Sequence, residues 1–284
     1  MPKKINIVKA SGETAPYSRA KIERSLRRSG ASHGLAKKIA LDVEAHLVVG
    51  MTTHEIYNLA FELLKKAKER PIAARYSLKK AIAAFGPTGF PFERFIGEIF
   101  KRKGFKVQVG VIVSGKCVNH EVDVIAEDER KHYFMECKFH SGQVRATDVK
   151  VALYVHSRFR DIIEKINQKG LCHEIHKAWV ITNTRLSRDA IVYGECNNMK
   201  MIGWNYPKNR GVEVLIEETG LHPVTSLTTL SYDEKKRLLE NNIVLVQDLP
   251  NKIKFLGTIG IREKKLVDLL KEVKALCGES NGSN

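Results

Sequence analysis

Two short stretches of this chain hold the side chains best suited to chemistry. His120-Glu121-Val122-Asp123-Val124-Ile125-Ala126 sets an acid inside an apolar run, and Tyr133-Phe134-Met135-Glu136-Cys137-Lys138-Phe139 does the same a few residues later. Both read as strands, because β-branched and aromatic residues fill them, and the polar run Glu127-Asp128-Glu129-Arg130-Lys131 between them reads as a turn. Alternation along a strand puts Glu136 and Lys138 on one side and Cys137 on the other. If the first strand delivers Asp123 nearby, two carboxylates and an amine converge. Paired carboxylates suit a hard cation such as magnesium, which takes oxygen ligands and keeps waters that can be deprotonated, and a lysine beside it can orient the attacking water. A plain half-solvated hairpin also carries a charge at every second position. Asp123 and Glu136 differ from that pattern in their aliphatic and aromatic neighbours, among which an ionised carboxylate is costly unless paired or metal-bound.

Asp123 followed by Glu136-Cys137-Lys138 resembles the PD-(D/E)xK nuclease superfamily in its Mrr-like restriction-endonuclease branch. That branch carries a further glutamate on the helix before the core. In Pro91-Phe92-Glu93-Arg94-Phe95-Ile96-Gly97-Glu98-Ile99-Phe100 the apolar residues recur at helical spacing, which leaves Glu93 at the edge of the buried stripe and Glu98 facing solvent. The proline of the family motif is Val122 here, a change that leaves the ligand in place. The resemblance spans residues 86–216 and implies a restriction-endonuclease-like α/β core that hydrolyses phosphodiester bonds in DNA, with RNA an open alternative. It further implies catalytic roles for Glu93, Asp123, Glu136 and Lys138: Asp123 and Glu136 hold magnesium or manganese, with the backbone carbonyl of Cys137 in the shell. Glu93 then assists directly or through water, and Lys138 positions the nucleophile.

The surrounding elements fit such a core. Residues 148–166 read as a helix with Val149, Ala152, Leu153, Val155, Phe159, Ile162, Ile163 and Ile166 on its apolar face. A strand at 178–182, a helix at 187–196 and a strand at 199–204 continue the alternation of a sheet sandwiched by helices. Lys150, His156 and Arg158 on the first of these helices read either as solvated charge or as phosphate contacts.

The amino-terminal third is a separate, mostly helical unit. Ile5 to Glu13 and Pro16 to Ile22 read as a small β-hairpin leading into a helix, followed by amphipathic helices at 32–48 and 53–68, the second capped by Thr52 or Thr53. The pattern resembles the ATP-cone, the regulatory nucleotide-binding domain of ribonucleotide reductases and their repressors. Ile7, Lys9, Lys21, Ile22, Thr53 and Tyr57 stand at its nucleotide-contacting positions, which implies ATP or dATP as a regulatory ligand and a change of homo-oligomeric state as its effect. The family's Lys-Arg-Asp-Gly reads Lys9-Ala10-Ser11-Gly12 here, so the arginine is missing and weaker binding is expected. The repressors join this domain to a zinc ribbon; no Cys-x-x-Cys pair occurs in this chain, which argues against that reading.

Charge follows the same division. Residues 1–85 carry 17 basic against 7 acidic residues, 86–216 carry 21 against 15, and 217–284 carry 10 against 10. The surplus, +16 for the whole chain, attracts polyanions and lies in the first two segments. These boundaries are the expected domains, with Phe85-Gly86-Pro87-Thr88-Gly89-Phe90-Pro91 and Glu217-Glu218-Thr219-Gly220 as linkers. The last third reads as a small helical domain. Ser231 caps a helix with acids in its first turn, and Leu256-Gly257-Thr258-Ile259-Gly260-Ile261 before another helix resembles a helix-hairpin-helix turn. The polar tail 278–284 is expected to fray. Five scattered cysteines and the lack of an apolar amino-terminal stretch or long apolar run predict a cytoplasmic, reducing location. Two other functions stay open: a non-catalytic, nucleotide-responsive nucleic-acid-binding protein with a nuclease fold, and a hydrolase or transferase acting on small nucleotides.

Overall fold

A computed structural model describes residues 5–9, 12–142, 145–168 and 175–278. The amino-terminal part pairs β1 (Asn6–Val8) antiparallel with β2 (Thr14–Pro16) and continues through α1 (Arg19–Arg28), α2 (His33–Ala45), α3 (Thr53–Lys66), α4 (Arg70–Tyr76) and α5 (Leu78–Ala83). Local signals set the helix starts. Ser32 accepts from the Leu35 amide at 3.2 Å, and Thr52 forms a reciprocal capping box with Glu55. Thr52 is therefore the cap and Thr53 the first helical residue.

The central part begins with α6 (Phe90–Arg102), then β3 (Lys106–Ser114), β4 (Asn119–Glu127), β5 (Lys131–Lys138), β6 (Ala146–Thr147), α7 (Val149–Gln168), β7 (Ile175–Thr182), β8 (Arg185–Leu186), α8 (Arg188–Cys196), β9 (Lys200–Ile202) and α9 (Val212–Thr219). Its sheet has the order β3-β4-β5-β7-β9. The first three strands pair antiparallel through tight connections, while β5, β7 and β9 are parallel and joined by the crossover helices α7 and α8. One face packs on α6 and α9: Phe92, Phe95, Ile96 and Ile99 meet Val124, Ala126, Met135, Cys137 and Ile181. The other packs on α7 and α8 through Val151, Ala152, Val155 and Ile162. Gly97 lets α6 lie close to the sheet, since a Cβ there would stand 2.8 Å from Val109 Cγ2.

The carboxy-terminal part consists of α10 (Tyr232–Glu240), α11 (Ile253–Thr258) and α12 (Glu263–Cys277) with two 3-10 turns, Val224–Ser226 and Val246–Lys252. Its core takes in Ala74 of α4, and the central core takes in Leu78, Ile82 and Phe85. The helices α4 and α5 are thus a wall shared by all three parts. Polar bonds secure it: Thr225 Oγ1 donates to the Ala81 carbonyl at 2.7 Å, and Arg70 Nη1 to Thr229 Oγ1 at 3.0 Å. Nearby the Glu272 carboxylate, 3% exposed, accepts from the amides and hydroxyls of Thr228 and Thr229 at 2.6–2.9 Å.

The fold is the multidomain mixture expected: a mostly helical amino-terminal unit with a small hairpin, a central α/β core and a helical carboxy-terminal unit. Three details differ. Leu153, expected on the apolar face of α7, is 45% exposed, and Val151 is buried instead. The helix turns 100° per residue, so a stripe centred on Ala152 and Val155 passes Val151 before it reaches Leu153. The expected linker at 217–220 is largely the last turn of α9, closed by Gly220 at φ 63°. Phe85, at the edge of the other expected linker, is fully packed, its ring 5.5 Å from that of Phe95. Cys172 and the tail beyond Gly278 lie outside the described residues. Among the described residues no helix is long and apolar enough to cross a membrane.

Candidate active site

Asp123 sits where β4 parts from its neighbour. The β4–β5 register runs from Glu127↔His132 to Val124↔Met135, and one residue further Asp123 Oδ2 accepts the Cys137 amide at 2.7 Å. Val124 and Ala126 pack towards α6, but Val122 packs towards α7, so β4 changes face at Asp123. Gly110 on β3, opposite this point, has φ 65°, a conformation glycine takes without strain. The local twist turns the Asp123 carboxylate across the end of β5.

Alternation along β5 does the rest. Met135 and Cys137 enter the α6-side core, which leaves Glu136 and Lys138 on the α7 side. Glu136 is held by two residues of α7 that sequence reading did not assign to it. The Tyr154 hydroxyl donates to Oε1, and Arg158 Nη1 donates to Oε2 at 3.1 Å. The Arg158 guanidinium also lies 4.9 Å from the Tyr154 ring centre. Arg158 had read as solvated charge or a phosphate contact, and His156 beside it instead bonds the Tyr193 hydroxyl through Nδ1 at 2.8 Å. The only sequence signal for Tyr154 and Arg158 is their spacing of four on one helix, which is too common to single them out.

Glu93 lies in the first turn of α6, half-buried as expected. Gly89 makes room for it, since a Cβ there would stand 3.1 Å from Glu93 Oε1 and 3.8 Å from Phe139 Cβ. Electrostatics tie the acids together. Burial, then the Glu136 charge, push the Asp123 carboxyl up to about 7, with Glu93 adding to the shift and the Cys137 amide and Arg158 opposing it. Glu93 is raised by burial and by Glu121 and Glu136, so Glu121 is a fourth acid whose charge reaches the site. Lys138 is half-buried and has no carboxylate within ion-pair reach among the described residues. Burial first, then the Lys138 charge and Arg145, depress the pKa of His140. His140 is locked in place: its amide donates to Asn183 Oδ1 at 2.9 Å, and Asn183 Nδ2 donates to its carbonyl at 2.8 Å.

The donor set suits a hard divalent cation. Asp123 and Glu136 offer oxygen only, and their mutual repulsion in a half-buried setting is what a cation relieves. The Cys137 thiol points into the opposite core, 5% exposed, which leaves only its backbone carbonyl as a ligand. Among the described residues no three histidine, cysteine or acidic side chains already form a cation cage. Magnesium does not require one, because it binds through one or two carboxylates together with waters and substrate phosphate.

In the amino-terminal part, β1 runs beside the start of α3: the Val8 amide donates to the Met51 carbonyl at 3.0 Å, and Val8 bridges to Thr52. Ile7, Ile22 and Tyr57 pack against one core, Lys21 and Thr53 are exposed, and Lys9 pairs with Glu13 at 3.1 Å. Tyr57 is turned inward, its ring stacked on that of Tyr76 with centres 5.0 Å apart. Ala10 and Ser11, where the expected phosphate loop departs from its family, lie outside the described residues.

Comparison with known proteins gives three family matches: the ATP cone domain over residues 5–83, the restriction endonuclease catalytic domain of the Mrr type over 87–205, and the AF1548-like carboxy-terminal domain over 222–277. An uncharacterized protein of Archaeoglobus fulgidus is 35% identical over 184 residues, 64% of this chain and 100% of its own length. The chain belongs to the AF1548-like family. The crystal structure of the protein of unknown function AF1548 overlays with a TM-score of 0.54 at 32% identity, covering 68% of this chain and 100% of that one. The DNA modification-dependent restriction endonuclease AspBHI is 16% identical, covers 60% of this chain and 39% of its own, and overlays with a TM-score of only 0.31. This member of the family therefore joins an ATP cone to a nuclease-fold core and an AF1548-like tail.

Proposed function

We propose that the chain is a divalent-cation-dependent DNA endonuclease whose cutting responds to ATP or dATP in the cone, with functional units at residues 1–85, 86–216 and 217–284. The observation that carries this reading is the convergence of the Asp123 and Glu136 carboxylates at the parting of β4 and β5, where burial and then the Glu136 charge push Asp123 up to about 7. Asp123, Glu136 and the Cys137 carbonyl would hold magnesium or manganese. When bound, the ion supplies a water of lowered pKa and neutralises charge on the phosphate. Lys138, on the same face of β5 as Glu136, orients the nucleophilic water and offers its proton-bearing amine to the developing charge. Glu93 accepts a hydrogen bond from that water, directly or through a second one. Tyr154 and Arg158 keep the Glu136 carboxylate aimed, and Arg158 doubles as a cation for the scissile phosphate. In the cone, Lys9 and Lys21 serve as point charges for nucleotide phosphates, with Ile7, Ile22, Thr53 and Tyr57 in the surrounding shell.

The test is cleavage of supercoiled, linear and modified DNA with magnesium, with and without ATP. Asp123→Ala and Glu136→Ala are expected to abolish cutting while DNA affinity persists, and Lys138→Ala to slow the chemical step. An Asp123→Ala protein that cuts like its parent refutes the assignment.

One observation favours a second reading, a nucleotide-responsive nucleic-acid-binding protein without catalysis. Both Glu136 oxygens already have protein partners, so a cation must compete with Tyr154 and Arg158. Tight DNA binding with no cutting under any metal would select it.

A further inference from the structure

A cavity of about 680 Å³ lies away from the acidic centre, where the three parts of the chain meet. The ends of α1 and α4 and the start of α5 form one wall, α9 forms the other, and Arg102, Trp204 and His222 complete it. Its volume is in the range of small-molecule sites, which also favour domain junctions.

The charge of the lining is not balanced. Arg28, Arg75, Lys79 and Arg102 border the cavity, as do three glutamates. Glu213 is engaged by Arg28 at 2.8 Å and Glu218 by Lys103 at 2.7 Å. The third, Glu217, is pushed towards its neutral form by burial and by Glu213. Lys79 has no carboxylate within 4.0 Å among the described residues; its ammonium lies 5.9 Å from the centre of the Trp204 ring. Burial, then Arg185, disfavour its charge, and Glu213, already engaged by Arg28, offsets them only in part.

A second observation is independent of charge. His222 is 9% exposed, borders the cavity, and its Nδ1 has no hydrogen-bond partner. Burial and Arg75 hold the ring near pKa 4, so it is neutral at pH 7. Buried polar atoms are nearly always partnered, and an orphan on a cavity wall is satisfied when a ligand atom reaches it.

We propose that this cavity binds a small phosphate-bearing anion of nucleotide size, at a site that shares Tyr57 with the expected nucleotide shell of the cone but is bordered by none of its Lys9, Lys21 and Thr53. Lys79 and Arg102 take the phosphate oxygens, His222 Nδ1 takes one hydrogen bond, and the Trp204 and Leu78 side chains cover the less polar end. Because one wall belongs to the cone and the other to α9 of the nuclease-fold core, an occupant ties the two together. The site does not depend on whether the acidic centre cuts DNA.

The test is calorimetry on the full chain carrying Lys9→Ala and Lys21→Ala, which disables the cone positions. The probes are ATP and inorganic tripolyphosphate. Binding of at least one probe at one site per chain is expected, with Lys79→Gln weakening it at least tenfold and the surface variant Lys264→Gln leaving it unchanged. Arg102 is exposed at the end of α6, so Arg102→Gln keeps the fold, and it is expected to weaken binding at least threefold. ATP binding alone would assign a nucleotide; equal binding of both would assign the phosphate chain. No binding of either probe, or affinity unchanged in both Lys79→Gln and Arg102→Gln, overturns the proposal.

Discussion

Replacing Asp123 by asparagine is expected to make the protein more stable above neutral pH. Its carboxyl rises from an ordinary 3.8 to about 7, first because it is buried and then because Glu136 and Glu93 crowd it. A folded-state value above the unfolded one means that the folded protein keeps the proton longer. Between about pH 4 and pH 7 the unfolded chain has released it and the folded one has not, so stability falls as pH rises through that window and levels off above it. At 1.36 kcal/mol per pH unit, the full penalty above pH 7 is about 4 kcal/mol. Asparagine has nearly the same shape, can still accept the Cys137 amide through Oδ1, and never ionises. Urea unfolding in metal-free buffer should therefore show a stability advantage of Asp123→Asn over the parent that is about 2.6 kcal/mol larger at pH 8 than at pH 5. Magnesium should close much of the gap at pH 8 by stabilising the parent alone. An advantage independent of pH, or a variant less stable than the parent at pH 8, would refute the electrostatic account of this site.

Tyr154→Phe removes one hydrogen bond to Glu136 and should lower the cleavage rate about tenfold, equivalent to about 1.4 kcal/mol, with DNA affinity unchanged in a filter-binding assay. Lys9→Ala with Lys21→Ala should abolish the effect of ATP on cleavage rate or oligomeric state, measured by light scattering, while basal cutting persists. Glu272→Ala strands the Thr228 and Thr229 donors in the carboxy-terminal core and should destabilise the chain by about 3 kcal/mol in urea, with no change in cation affinity. DNA affinity of the Asp123→Ala protein should drop steeply with salt, and deleting residues 221–284 from a folded sample should change that slope little, since the positive excess lies in the first two segments.

Much of this was legible in the residues themselves. Two-residue alternation through Tyr133 to Phe139 put Glu136 and Lys138 on one face, and the structure keeps them there with Cys137 opposite. Helical periodicity set Glu93 at the edge of α6, and a threonine at 52 or 53 and Ser231 marked helix starts through side-chain caps that act over three residues. Such signals are local, so they survive without knowledge of the fold. The expected linkers held only in part, residues 86–89 joining α5 to α6 while 217–220 mostly closes α9, for the complementary reason. Glycine and proline mark where a helix can stop, but whether the chain then hangs free or packs depends on what surface it meets, and Phe85 meets Phe95.

The chain's own sequence thus determined the acids, their order on neighbouring elements, the helix caps and the basic surplus of the first two segments. Tertiary structure alone decided which partners those acids have. Tyr154 and Arg158 reach Glu136 from a helix that crosses behind the sheet, Gly89 makes room for Glu93, and the turn of β4 at Asp123 swings its carboxylate to the Cys137 amide. It also decided that Lys79 and His222, in different parts of the chain, share one cavity wall. A period of 2 or 3.6 residues specifies which face a side chain occupies, whereas the opposing surface depends on the route of the crossovers and the docking of α4 and α5, which no local pattern encodes.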